Sequence, residues 1–214
     1  MLSSSISEII SMILVLLISF PVHEFSHAFM ADYLGDDTPR LAGRVTLNPF
    51  AHLDFIGTLM FLVAGFGWAK PVPVNYSKLS VRSKHGPVYV SLAGPVSNLI
   101  MAFIGSLPFI FGFVQLTFDQ ETSLLPSLSN FLWLFILFNL ILFFFNILPL
   151  FPLDGEKVLL HLLPEKARSN MVKLRRFGSW PLLLVVMVLP TMGFNLLNSL
   201  VFSPAFLIAQ WLIL

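Results

Sequence analysis

The chain has 214 residues, of which 57% are apolar and only 11% charged, against about a quarter charged in a soluble domain. That is too little charge to coat a globule in water, which excludes an ordinary cytosolic enzyme, a nucleic-acid binder and a disordered hub. The net charge of +1 says nothing about partners, and with no cysteine any metal must be held by imidazole or carboxylate.

The apolar runs predict an all-α polytopic membrane protein of about five to six transmembrane helices, with a re-entrant segment and short cytoplasmic β-strands. One domain is expected over 1–214. Its first span covers about Ile6 to Met30, with no basic region ahead of it and so no sign of a cleavable leader. Gly43 to Asn48 alternates like a strand, and Pro71 to Asn75 is extended because its prolines deny helix. Between them, 55–68 is apolar but too short to cross comfortably, and basic residues flank it on both sides, so a re-entrant dip is expected.

Further spans are expected over about Pro87 to Val114 and Asn130 to Leu150. The loop between them, Gln115 to Ser129, has no Lys or Arg, whereas Phe151 to Phe177 carries Lys157, Lys166, Arg168, Lys173, Arg175 and Arg176. Two last helices are expected over about 178–214, turning near Thr191 to Asn195. The positive-inside rule then puts the N-terminus outside and the C-terminus inside, with five crossings and the dip at 55–68.

Chemistry concentrates at the end of the first span. His23-Glu24-Phe25-Ser26-His27 is an H-E-x-x-H sequence, which on a helix turns both imidazoles to one face where they can share a zinc ion. Glu24 sits one step round, within reach of a water that the ion would acidify. Zinc needs a third protein ligand, and Asp154, Glu156, His161 and Glu165 lie on the same membrane side. Asp154 is the best placed, because Pro149 and Pro152 break the preceding helix and Gly155 permits close backbone approach. Asn98 and Asn146, amides in apolar spans, are candidates for supporting the substrate or its oxyanion. His52 reads as a structural hydrogen-bonding residue, while His85 and His161 read as bland.

Together with Asn146-Ile147-Leu148-Pro149-Leu150-Phe151-Pro152-Leu153-Asp154-Gly155, the H-E-x-x-H sequence resembles the site-2 protease family of intramembrane zinc metalloproteases. The segments Leu47 to Asp54, Phe66 to Asn75 and Ala93 to Asn98 are similar to other parts of that family. The resemblance covers about Pro21 to Leu160, within a catalytic core of about 6–160, and suggests a short, core-only member. It implies one Zn2+ per chain on His23, His27 and Asp154, with Glu24 as catalytic base near the cytoplasmic face. It also implies a membrane-anchored protein substrate met within the lipid bilayer. Glu156 stands where a second glycine usually follows the Asp-Gly pair. Other readings are a prenyl-peptide-type protease with Glu156 or Glu165 as third ligand, a transporter relaying metal or protons, and a folded pseudoenzyme.

Overall fold

The structure is a computed structural model, and it describes residues 5–57, 60, 69–117 and 125–214. Helix α1 (Ile6–Tyr33) opens on a reciprocal cap, in which Glu8 N–H donates to Ser5 Oγ at 3.2 Å and Ser5 N–H to Glu8 Oε2 at 3.0 Å. Its 28 residues extend about 42 Å, well beyond a hydrocarbon layer of about 30 Å. A helix entering the bilayer near Ile6 therefore brings His23 and His27 close to the opposite face.

Short helices follow at α2 (Thr38–Leu41), α3 (Pro49–His52) and α4 (Tyr76–Arg82). Then come α5 (Gly86–Ile110) and α6 (Leu128–Ile147), both apolar enough to cross a membrane. α7 (Asp154–Leu162) and α8 (Glu165–Leu174) carry the polar residues beyond α6. The apolar helices α9 (Trp180–Thr191) and α10 (Asn198–Ile213) end the chain.

The helices α1, α5 and α6 pack on one another, and small residues set how closely. A Cβ at Gly105 of α5 would stand 2.8 Å from the Phe135 ring of α6, so glycine there admits a near approach. On their outer side Ala205 and Ala209 of α10 are buried against Ala102, Phe109, Ile136 and Leu140. Trp133 meets Phe206 edge-on at 5.7 Å between ring centres.

Two expectations are corrected. The described residues supply three helices of crossing length, not five or six. Pro190 and Gly193 interrupt the last apolar stretch, Gly193 in a left-handed turn at φ 84°, so α9 and α10 are each shorter than the three long helices. Nor does any strand occur among the described residues. The Gly43 to Asn48 segment turns at Gly43 (φ 67°), and its Thr46 N–H bonds back to Arg44 at 2.9 Å, leaving no ladder. The buried Arg44 guanidinium does the joining instead, donating to the carbonyls of Ala51, Lys70 (3.3 Å) and Pro71 (3.0 Å). In Pro71 to Asn75 the Asn75 N–H goes to the buried Asp36 carboxylate at 2.6 Å. The re-entrant dip at 55–68 falls largely outside the described residues. Its flanks meet in one antiparallel bridge, Leu53 with Ala69, beside a 2.8 Å bond from Lys70 N–H to the His52 carbonyl.

Candidate metal centre

His23 and His27 lie one turn apart on the buried face of α1, in a row that also holds Ser7, Ser11 and Ser19. Asp154, the first residue of α7, comes to them from 127 positions away. All three are at least nine-tenths buried. Their ligand atoms form a small triangle: the two Nε2 atoms are 3.0 Å apart, and Asp154 Oδ2 is 3.1 Å from His27 and 3.3 Å from His23. Two ligands of a tetrahedral zinc, each about 2.0–2.1 Å from it, stand about 3.3 Å apart.

The protons point the same way. His27 Nδ1 donates to the Val90 carbonyl at 2.7 Å, and His23 Nδ1 donates to Asn98 Oδ1 at 2.6 Å. A neutral ring that donates through Nδ1 carries its lone pair on Nε2. Two bare nitrogens and a carboxylate oxygen then face each other, a set that repels itself unless a cation lies among them. Imidazole, imidazole and carboxylate are a ligand set that zinc takes, with each histidine held through its other nitrogen.

Two glycines make room for this. A Cβ on Gly94 of α5 would stand 2.3 Å from His27 Nε2 and 2.7 Å from His23 Cε1. A Cβ on Gly155 would stand 2.0 Å from the Ile147 carbonyl oxygen. The first lets α5 run beneath the two rings; the second seats the start of α7 on the end of α6 and so delivers Asp154.

The other carboxylates near Asp154 are otherwise engaged. Glu156 is buried, and Arg175 grips it with Nε on Oε1 and Nη2 on Oε2, both at 2.8 Å. Those bonds hold the Arg175 guanidinium above its ordinary pKa, and it also lies over the Phe151 ring. Glu165 is exposed on α8. Lys157 Nζ binds Asp154 Oδ1 at 2.9 Å, which turns only Oδ2 to the histidines.

Glu24 is half-buried beside His23, and its carboxylate makes no hydrogen bond among the described residues. Asn98 is wholly buried and engaged with His23. Asn146 donates to the Leu142 carbonyl at 3.0 Å and lines, with Leu92, Pro95, Pro149, Leu159 and Asp154, an apolar cavity of about 260 Å³. His52 stays apart, its Nε2 bonding the Thr46 carbonyl at 2.7 Å. His85 and His161 bond each other at 3.2 Å, also outside the triangle. Sequence reasoning missed Gly94 as a spacer and Asn139 altogether. An amide midway along an apolar span was the available signal for Asn139.

A family model described as "Peptidase family M50" matches residues 110–189. The chain is 42% identical over 181 residues to "Putative zinc metalloprotease YwhC" of Bacillus subtilis (strain 168), across 84% of this chain and 80% of that protein. It is 31% identical over 183 residues to "Putative zinc metalloprotease Rip2" of Mycolicibacterium smegmatis, across 84% of this chain and 66% of that one. The Mycobacterium tuberculosis (H37Rv) protein of the same name is 32% identical over 181 residues. No solved structure matches the chain significantly.

Proposed function

The chain belongs to peptidase family M50 and is a zinc metalloprotease of the membrane, and from that premise we propose that it is an intramembrane endopeptidase. Its substrate is a membrane-anchored protein, cut in or near the transmembrane segment. The observation that carries this reading is the triangle of His23, His27 and Asp154, buried where a membrane-crossing helix nears the bilayer face. Residues 6–160 form the catalytic core, and 178–214 form the C-terminal helical part of the same domain.

In this reading His23, His27 and Asp154 hold one zinc ion. When bound, zinc supplies a Lewis acid that brings the pKa of water down towards about 7. Glu24 takes a proton from the attacking water as its oxygen bonds to the scissile carbonyl carbon. Breaking of the C–N bond then passes that proton from Glu24 to the leaving amine, while the water's other proton stays on the new carboxyl group. The products are a carboxylic acid and an amine, which at neutral pH become a carboxylate and an ammonium. By holding Oδ1, Lys157 leaves Oδ2 of Asp154 turned to the centre. The apolar cavity beside Asp154 suits a large aliphatic or aromatic side chain next to the scissile bond, the kind a transmembrane segment offers.

The loop 115–129 without Lys or Arg, and the six basic side chains of 151–177 named above, support placing the N-terminus outside and the active centre at the cytoplasmic face. The test is reconstitution of the purified chain in vesicles with a single-span reporter. Chelator-sensitive cleavage, mapped by mass spectrometry to the reporter's span or its edge, is expected. Cleavage confined to the reporter's soluble part, or unaffected by chelation, would overturn the proposal.

A further inference from the structure

Behind His23 runs a chain of buried amides that the hydrolytic reading does not use. Asn98 of α5 accepts the His23 Nδ1 proton on Oδ1, and its Nδ2 donates to Asn139 Oδ1 of α6 at 2.8 Å. Asn139 Nδ2 in turn donates to the Phe135 carbonyl at 2.8 Å and to Ser19 Oγ of α1 at 3.0 Å. Asn98, Asn139 and Ser19 are all fully buried, so water does not substitute for these partners.

An asparagine side chain has two nearly isosteric faces, one accepting and one donating. Asn98 with its amide reversed would donate to His23 Nδ1. His23 would then carry its proton on Nε2 and could not ligate a metal through that atom. Something must choose the face. Among the described residues the Asn98 side chain bonds no backbone group, but Asn139 does: the Phe135 carbonyl only accepts, so Asn139 must present Nδ2 to it. That leaves Asn139 Oδ1 toward α5, which demands Nδ2 from Asn98, which leaves Asn98 Oδ1 for the histidine.

We propose that Asn139 is a positioning residue that sets the tautomer of His23 through Asn98, so that a backbone carbonyl of α6 dictates which His23 nitrogen meets the metal. The proposal rests on the zinc reading of the site. The same bonds join α1, α5 and α6 at one level of the bilayer, so the packing of all three helices bears on the metal centre.

The test is zinc affinity, measured by competition with a chelating dye on detergent-solubilised chain whose fold is checked by circular dichroism. Asn139→Leu, close in volume but without either function, is expected to weaken zinc about 10- to 100-fold. Asn139→Asp keeps an acceptor for Asn98 and is expected to stay within about threefold of wild type. A role in packing alone would spare Asn139→Leu, and a role in bonding Ser19 or Phe135 alone would damage both variants equally; either result overturns the proposal. In an Asn98→Asp background, where position 98 accepts on both oxygens and has no wrong face, Asn139→Leu should cost less than about threefold. A full additive loss there also overturns it. Should Asn139→Leu not fold, Asn139→Asp decides: retained zinc supports the relay, and lost zinc refutes it. Wild-type chain that binds no zinc removes the zinc reading itself, whereas zinc bound equally by wild type and Asn139→Leu removes only the relay.

Discussion

Glu24→Gln is expected to bind one zinc per chain and to lose turnover by roughly 10²–10⁴-fold, the range for removal of a positioned general base. Glutamine keeps the shape of the side chain but cannot take a proton from water. The carboxylate lies outside the triangle made by His23, His27 and Asp154, so metal content should not fall. It also has no hydrogen bond among the described residues, so its loss leaves no buried partner stranded and the fold should stand. Elemental analysis beside cleavage of a single-span reporter separates the outcomes. Unchanged turnover would move the base elsewhere, and lost zinc would make Glu24 a ligand.

Gly94→Ala is the second large effect, and two opposing terms decide its sign. Alanine is better than glycine in a helix interior by about 1 kcal/mol, which by itself favours the folded chain. At this position, however, the added methyl lies 2.3 Å from His27 Nε2 and 2.6 Å from His27 Cε1. The rings cannot simply swing aside, because Val90 and Asn98 hold their Nδ1 atoms at 2.7 and 2.6 Å. Displacement breaks one of those bonds or the triangle itself. The overpacking and the lost bond outweigh the gain in helix propensity, so the expected result is a chain that melts below the wild-type temperature and whose zinc affinity falls about 10- to 100-fold, as for loss of the groups that orient a ligand. Equal zinc affinity would mean that the two rings do not close over α5 as described.

What could be read from the sequence follows from how local each feature is. That His23 and His27 share one face of a helix was legible because four-residue spacing is a local property. Asp154 was reachable from afar because proline breaks and loop charge place the end of the third span on the same side as the first. The Arg44 clasp was not legible, since alternation in Gly43 to Asn48 says nothing about a guanidinium that takes three loop carbonyls and makes strand pairing unnecessary. The count of long helices differed for a related reason: the stretch from Trp180 to Leu214 is largely apolar, but Pro190 and Gly193 divide it into two shorter helices. Gly94 and Asn139 depend on which faces of α1, α5 and α6 meet, and only the packed helices reveal that.

Zinc K-edge absorption on the purified wild-type chain and on Asp154→Ala tests the centre most directly. The expected wild-type spectrum has two imidazole nitrogens at about 2.0–2.1 Å and oxygen ligands at about 2.0–2.2 Å, with no sulfur. Asp154→Ala should lose most of its zinc, because Glu156 is held by Arg175 and Glu165 is exposed on α8. Zinc retained in full by Asp154→Ala, with an unchanged ligand shell, would contradict the assignment and place the third ligand on another residue.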